Sequence, residues 1–383
     1  MSQNDKTLVS LDIDVLGLPP EEVQHIIDSV QVPENGEIVV ADLLQIMEDR
    51  VVINHCFYGV VRGMLNQKGM TLEESDIYML CNGPFIAYNG QYDTFGQCPM
   101  VHMLKELEAH TGIGVHYKVV DLSARDRVAI LQDWYEVLDS GQTLLLHMET
   151  SNLIYNQLYV ESPGKGHVVQ LYGLHAEQNT AHIADYYLLD KAGQVLGYNG
   201  TIPLSELLDG VVEYAYMSGE TEHTVQPEQL MSACAEHVAE FLAGSIDADG
   251  SANGMAAYRY LNTQLASMQE LDDAAFEATC ALIYYHLRIE SWMHLLRYTT
   301  QFVTDHEGLL GADGASLRSG MEGVQQMARR QLMMLYKMGI RRDRAALDRY
   351  LANNERMLDE FEMQLKKLQY AASKVSVPAP SQP

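Results

Sequence analysis

The spacing of hydrophobic residues divides the chain into a mixed α/β part and a purely helical part. Up to residue 226, segments with helical spacing of apolar residues alternate with short apolar runs typical of strands. After Pro227 only the helical spacing remains, and Gly or Asp separates the segments. The pattern predicts an α+β domain at residues 51–226, followed by an all-α helical bundle at residues 227–371. The helices of the bundle are expected near residues 228–243, 254–270, 272–304, 314–338 and 343–371.

Each end of the chain carries a segment outside these two domains. Residues 1–50 form an N-terminal extension, with a short helix predicted at residues 19–30 and a strand passing into a helix at residues 36–49. Residues 372–383 are rich in Pro and Ser, which indicates a disordered tail.

The α+β domain begins with a cysteine at a predicted helix start. In "VVINHCFYGVVRG" (residues 51–63), Asn54 ends an apolar run, and helical spacing extends from Cys56 to near Gly69. The N-terminus of a helix presents unpaired N–H groups and a partial positive charge, which favour a thiolate over a thiol. Cys56 is therefore a candidate nucleophile. The alternative is a small buried hydrophobic residue.

Helices and strands alternate through the rest of this domain. Thr71 and Glu74 have the spacing of a capping box and predict a helix start. The further segments are predicted as loop and short strand at 80–99, helix at 100–112, strand at 115–122, helix at 124–141, strand at 142–150, and helix followed by strand at 203–216.

Residues 166–200 have the pattern of an antiparallel meander with His167 on its first strand and Asp185 on the next. A hairpin turn near residues 177–179 would bring the two side by side. Asp185 lies in an apolar setting, where an acid needs a partner. A thiol enzyme uses a thiolate, an imidazole that moves the proton and a group that orients the imidazole. The predicted triad is Cys56, His167 and Asp185.

Other residues compete for the same roles. His175 and His182 lie in the meander and stay alternatives for the base, while Asp190 is an alternative acid that precedes turn residues. The remaining cysteines, for which we expect a packing role or a place in a Gly-rich stretch, are Cys81, Cys98, Cys234 and Cys280.

The composition limits the classes of partner and compartment. With 52 acidic and 25 basic residues the formal net charge is −27, which disfavours binding to nucleic acid. Such a charge either attracts cationic substrates such as amines or serves only solubility. No apolar run is long enough for a membrane helix, and residues 1–10 lack a signal-peptide pattern. Five cysteines without regular spacing indicate a reducing, cytoplasmic compartment. The HExxH, CxxC and GxSxG motifs are absent, so neither a metal site nor a serine hydrolase is predicted.

Two segments carry a resemblance to a known family. In residues 54–88 a His-Cys pair at a helix start is followed by a G-x-x-L-x-E step and an aromatic, Gly-containing segment. The matching positions are His55, Cys56, Gly69, Leu72, Glu74, Gly83, Phe85 and Tyr88. In residues 166–187 a His precedes an apolar strand, a Gly and an Asp on the next strand. Over residues 50–370 the chain resembles the butirosin biosynthesis protein H N-terminal family with its helical partner domain.

The resemblance implies a papain-like fold and an acyl transfer in natural-product biosynthesis. An acyl or aminoacyl group would move from a carrier-protein thioester to an amine acceptor, with Cys56 as nucleophile, His167 as base and Asp185 as its orienting group. We assign Asn54 to the oxyanion site, while the role of the matching His55 stays open. No cofactor is implied beyond the phosphopantetheine on the donor. The alternatives are a thiol peptidase or amidase of the same fold, and a non-catalytic scaffold.

A carrier protein is usually acidic, so an acidic enzyme needs a basic surface for it. Residues 329–349 contain seven basic and two acidic residues, and Arg341, Arg342 and Arg344 are the predicted carrier-binding residues. The alternative is a helix face with intramolecular salt bridges. The predicted partners are thus the carrier protein and an amine, without nucleic acid or membrane, and a homo-oligomer stays open.

Overall fold

The computed structural model describes residues 37–39 and 53–375, apart from residues 91, 93–94, 122, 124–125, 162–163, 176–177, 190–194 and 220–223. The predicted helix at residues 19–30, the helical part of 36–49, and Asp190 lie outside the described residues. Backbone alone is described at residues 37–39, where a strand confirms the strand predicted from residue 36 onward.

The strands are short, and most of them lie in the N-terminal half of the chain. They are β1 (Glu37–Val39), β2 (Ile86–Tyr88), β3 (Phe95–Gln97), β4 (Gly114–Val119), β5 (Leu144–Glu149), β6 (Gly166–His175), β7 (Thr180–Leu189), β8 (Val195–Pro203), β9 (Val211–Ser218) and β10 (Ala252–Asn253).

The helices alternate with these strands and then continue without them. They are α1 (Cys56–Gln67), α2 (Glu74–Leu80), α3 (Met100–Thr111), α4 (Arg127–Asp139), α5 (Gln157–Val160), α6 (Leu204–Gly210), α7 (Pro227–Leu242), α8 (Gly254–Leu265), α9 (Asp273–Tyr285), α10 (Trp292–Asp305), α11 (Gly314–Arg341) and α12 (Leu347–Val375). The chain is mixed α/β with antiparallel sheets and a C-terminal helical region, in agreement with the α+β class.

Two sheets are present in the described part of the chain. The larger has the strand order β4-β9-β5-β6-β7-β8, and β1 pairs with β6 beyond the end of β5. The pairings from β9 to β8 are antiparallel, which confirms the predicted meander. The smaller sheet pairs β10, β2 and β3. Strand β10 lies in the segment predicted to be helical only, because a two-residue strand leaves no hydrophobic pattern.

Contacts divide the chain into two compact units. The first unit comprises residues 1–60 and 117–216, and the second comprises residues 61–116 and 217–383. Residues 61–116 thus group with the C-terminal helices, and the units are discontinuous in sequence. The predicted boundaries at residues 50 and 226 stay predictions.

The core of the first unit is built from the large sheet and the helices on it. Trp134 of α4 and Leu207 of α6 are fully buried with Leu146 of β5, Val169 of β6 and Ile183 of β7. Such complete burial of aromatic and aliphatic side chains fixes the register of the strands, because a slip by one residue would turn them to the other face. The register of β6 and β7 in turn positions the candidate site.

Three local predictions were wrong. The helix start after residue 71 is capped by Glu73 and Asp76, and the Asp76 carboxylate accepts a hydrogen bond from the Glu73 N–H at 3.2 Å. The predicted capping box of Thr71 and Glu74 is therefore not used. The segment predicted as one helix at 272–304 is divided by a π-turn at His286–Glu290. Helix α12 continues to Val375, four residues into the predicted disordered tail.

No helix among the described residues is both long enough and apolar enough to cross a bilayer.

Candidate active site

Cys56 is the first residue of α1, as the sequence predicts. The preceding His55 caps this helix: its carbonyl accepts the Gly59 N–H at 3.0 Å, and its Nδ1 accepts the Phe57 N–H at 3.3 Å. All five cysteines lie in the described residues and are unpaired, and Cys56 alone among them is partly exposed while the others are buried. His55 therefore has a positioning role at the helix start, beside a thiol that solvent can reach.

Gly59 allows α1 to pack closely against its surroundings. A Cβ atom at this position would lie 2.5 Å from Ile53 Cγ2, closer than Cβ atoms approach in folded proteins, and 3.1 Å from Tyr186 Cβ, which is a tight contact. Tyr186 follows Asp185 on β7. The absence of a side chain at Gly59 thus brings the start of α1 towards the strand that carries Asp185.

His167 and Asp185 are cross-strand neighbours in the hairpin of β6 and β7. Gln170 pairs with Ala184 in this hairpin. The recorded pairs end there, with His167 three residues further along β6 and Asp185 one residue further along β7, so the two are offset by two positions. Side chains in such diagonal positions are within reach of each other. The distance between His167 Nε2 and Asp185 Oδ2 is 2.9 Å, which confirms that the hairpin brings these two residues together.

Asp185 is completely buried and accepts three hydrogen bonds. Besides His167, the Tyr155 hydroxyl donates to Oδ2 at 2.8 Å, and the Tyr187 backbone N–H donates to Oδ1 at 3.0 Å. A buried carboxylate is tolerated only where donors replace its water shell. The three donors therefore hold Asp185 in one orientation towards the imidazole.

The imidazole of His167 bridges the carboxylate and the thiol. Its Nε2 bonds to Asp185, and its ring also hydrogen-bonds to the Cys56 side chain. With Nε2 engaged by the carboxylate, Nδ1 is the nitrogen that serves the sulfur. Burial lowers the pKa of His167, but Asp185 and Cys56, through charge and hydrogen bonds, outweigh burial and raise this pKa from 6.5 to about 10. The arrangement thus favours the imidazolium form of His167.

Two tyrosines that the sequence did not indicate complete the site. Tyr155 stacks on Tyr198 with ring centroids 4.1 Å apart, and its hydroxyl donates to Asp185. The Tyr159 hydroxyl lies 3.1 Å from His167 Nε2 and donates to the Tyr187 carbonyl at 3.0 Å. Burial and the charge of Asp185 raise the pKa of both phenols, so each stays protonated and acts as a donor.

The alternative histidines lie far from the thiol along the strands. His175 is eight residues beyond His167 on β6, roughly 26 Å at the rise of an extended strand. His182 pairs with Gly173 and is thus about 20 Å from the level of His167. Neither lies at the level of His167, the histidine that contacts Asp185.

The other predicted site residues are Asn54 and three arginines. Asn54 is partly buried two residues before Cys56. Arg342 bonds to Glu277 at 2.9 Å, and Arg344 bonds to Asp273 at 2.7 Å, which is the intramolecular alternative stated for this segment. Arg341 lines a groove in the second unit.

The residues of the triad do not have the spacing of metal ligands. Among the described residues, the cluster whose ligand atoms are spaced for a metal ion lies in the second unit, at Glu106, His110 and His237. Sequence reasoning missed it, because His237 is far from the other two in the chain.

Comparison of the chain with protein-family models and with curated protein sequences gives no match.

Proposed function

We propose that the protein is a papain-like cysteine acyltransferase that forms an amide from a carrier-protein thioester and an amine. One observation carries the proposal: a partly exposed thiol at a helix start hydrogen-bonds to an imidazole that a buried carboxylate orients. This set supplies a nucleophile, a proton carrier and an orienting group. The short motifs shared with the butirosin biosynthesis protein H family, and its helical partner domain, support the same choice.

In the first half-reaction the Cys56 thiolate attacks the carbonyl carbon of the donor thioester. The tetrahedral intermediate collapses as the bond between this carbon and the donor sulfur breaks. The His167 imidazolium gives its proton to the departing donor thiolate, and the acyl group stays on Cys56 as a new thioester. Because one thioester replaces another, the step needs no external energy source.

In the second half-reaction an amine attacks the acyl-enzyme. The neutral His167 takes a proton from the nitrogen as the carbon–nitrogen bond forms, and the Cys56 thiolate leaves. The products are an amide and the starting ion pair. Asp185 favours the imidazolium in both half-reactions without itself exchanging a proton.

The oxyanion of each tetrahedral intermediate requires donors close to Cys56. The backbone N–H of Cys56 is in the first turn of α1, where amides point out of the helix end. We assign Asn54 as the second donor, because its position before the His55 cap keeps its side chain near the same helix end. A thiol nucleophile also suits a reducing cytoplasm, and all five cysteines are free.

A groove in the second unit suits an acidic donor protein. It has a volume of about 470 Å³, and its lining includes Asp343 and Ala346. The other lining residues are cations and methionines, which are Arg329, Arg330, Lys337, Arg341, Arg349, Met333, Met334 and Met338. The five cations form no ion pair with any described residue, in contrast to Arg342 and Arg344. In a chain with a net charge of −27, such a groove is an exception. We therefore assign Arg341, rather than its two neighbours, to carrier binding.

The decisive experiment is intact-mass analysis after exposure to acyl-carrier thioesters, followed by a panel of amines. We expect a stable gain of one acyl group in the parent protein and none in Cys56→Ala. The matched control is Cys98→Ala, which changes a buried cysteine and should still be acylated. Release of an amide supports transfer, while release of only the free acid identifies a hydrolase. No mass gain in the parent protein would leave the scaffold alternative.

Carrier recognition has its own test. Arg341→Glu should weaken transfer from a carrier thioester and spare transfer from a small thioester. Lys105→Glu is the matched control, because it reverses one charge at an exposed position of α3. Equal losses on both donors, or an equal effect of the two variants, would contradict carrier binding at the groove while leaving the acyl-transfer chemistry intact.

A further inference from the structure

Three ligand side chains converge within the second unit. Glu106 and His110 are one helical turn apart on α3, and His237 is contributed by α7. One ligand atom from each lies within 4.8 Å of the other two. Glu106 Oε2 is 3.6 Å from His237 Nε2 and 3.9 Å from His110 Nε2.

These separations are too long for hydrogen bonds but fit a shared ion. A direct bond between a nitrogen and a carboxylate oxygen would be about 2.7–3.2 Å long. Two ligands about 2.0–2.2 Å from a tetrahedral zinc ion are roughly 3.3–3.6 Å apart. The three side chains thus face one another at the spacing of a metal's coordination shell.

The hydrogen bond of His237 leaves one of its ring nitrogens available as a metal ligand. This imidazole is 1% exposed, and its Nδ1 donates to the Met79 carbonyl at 2.6 Å. With the proton held on Nδ1, the lone pair of Nε2 faces Glu106. A backbone carbonyl that fixes the tautomer in this way is the usual partner of a metal-binding histidine.

His110 supplies an independent observation. Its Nε2 atom is buried and has no hydrogen-bond partner. A buried polar atom without a partner is rare in folded proteins, and a bound ion is one of the groups that satisfies such an atom. The unsatisfied atom is the same one that faces Glu106.

We propose that Glu106, His110 and His237 bind a divalent transition-metal ion of the zinc class. Two imidazoles and one carboxylate suit zinc and its neighbours in the first transition row, whereas calcium and magnesium prefer oxygen ligands alone. Glu106 and His110 are partly exposed, so water completes the coordination. The ion would join α3 to α7 within the second unit, and this inference is independent of the proposed acyl transfer.

The test uses full-length, untagged Cys56→Ala protein after treatment with a chelator, so that the exposed thiol does not bind the probe. Co²⁺ is titrated in and followed by its visible absorption, and Zn²⁺ binding is measured by calorimetry. We expect one equivalent to bind and the thermal midpoint to rise. Glu106→Gln and His110→Ala should each weaken binding at least about 10-fold, since even the loss of an outer-shell partner has this effect.

The matched control is His102→Ala, an exposed histidine on the same helix, which should bind as the Cys56→Ala protein does. Both ligand variants lie at partly exposed positions, and urea unfolding without metal checks that they fold. Absence of saturable binding at one equivalent would overturn the proposal, as would equal affinity in Glu106→Gln, His110→Ala and His102→Ala.

Discussion

Replacing Asp185 by Asn removes the charge at the centre of the site and reverses one of its hydrogen bonds. The carboxylate accepts the Tyr187 N–H on Oδ1 and both His167 and Tyr155 on Oδ2. An amide has only one acceptor atom. If its oxygen stays with Tyr187, its NH₂ group faces His167 Nε2, and the imidazole must carry its proton on Nδ1. That tautomer cannot take a proton from Cys56.

The size of the effect follows from the pKa of His167. A shift from 6.5 to about 10 corresponds to a preference for the imidazolium on the order of 5 kcal/mol. Burial opposes this shift, and Asp185 is the largest of the groups that raise the pKa. Without the carboxylate the imidazole becomes neutral near pH 7. Together with the wrong tautomer, this should slow acylation by about 10³- to 10⁴-fold.

The assay is single-turnover release of thiol from a small acyl thioester, measured by rapid mixing. Asp209→Asn is the matched control, because it removes another carboxylate of the first unit, the partner of Arg127 at 2.8 Å. The control should acylate at nearly the parent rate. An Asp185→Asn rate within about 10-fold of the parent would refute the argument that acylation needs the charge of the carboxylate.

Stability gives a second readout of the same substitution. His167 has a raised pKa in the folded protein, so its interaction with Asp185 stabilises the fold fully below pH 6.5 and loses this effect as the pH rises through about 10. The free energy of unfolding of Asp185→Asn should therefore lie furthest below that of the parent protein under mildly acidic conditions. The deficit should shrink towards pH 10 in urea titrations, and a deficit independent of pH would contradict the ion pair.

Three further predictions concern the rest of the site. Gly59→Ala should cost about 1–3 kcal/mol of unfolding free energy and slow acylation, because the added Cβ has no room. In the same urea titration, the control Gly323→Ala should be neutral or stabilising, because Gly323 has open space around it in the middle of α11. Tyr155→Phe should cost roughly 1.5–3 kcal/mol, since Asp185 loses a charged hydrogen bond; an unchanged unfolding free energy would contradict this contact. Acylation by the parent protein should persist through pH 9 and decline as the pH passes about 10, because the His167 imidazolium that protonates the leaving thiol is then lost. A decline near pH 7 would show that the pKa of His167 is not raised.

The parts of the site that the sequence could predict are those with local signals. The start of α1 follows from the apolar run before Cys56 and the helical spacing after it. The hairpin of β6 and β7 follows from turn residues between two apolar runs, and Asn179 adopts a positive φ of 53° at that turn. Strand periodicity then places His167 and Asp185 on one face. Each of these inferences spans fewer than about 25 residues.

The parts that escaped prediction depend on contacts across long stretches of chain. Tyr155 lies just before the four-residue helix α5 and Tyr159 lies within it, and a segment this short has no periodicity to show which side chains turn towards Asp185. Nothing in the sequence distinguishes Gly59 from other helix glycines, because one of its close contacts is with Tyr186 on a strand far along the chain. The contact between His110 and His237 joins two helices, and the spacing of residues along each helix, taken alone, is that of ordinary helix packing.

The reactivity of Cys56 separates an enzyme from a scaffold of the same fold. A buried ion pair such as that of His167 and Asp185 adds little net stability compared with apolar residues of the same size, so stability alone does not account for it. If the pair acts on the thiol, Cys56 should react with iodoacetamide faster than free cysteine near pH 7, as peptide mass analysis would measure. The buried cysteines are internal controls, since burial and nearby acids raise the pKa of Cys98 to about 11, and burial raises that of Cys280 to about 12. A Cys56 rate no higher than that of free cysteine, unchanged by His167→Gln, would favour the scaffold and remove the basis for acyl transfer.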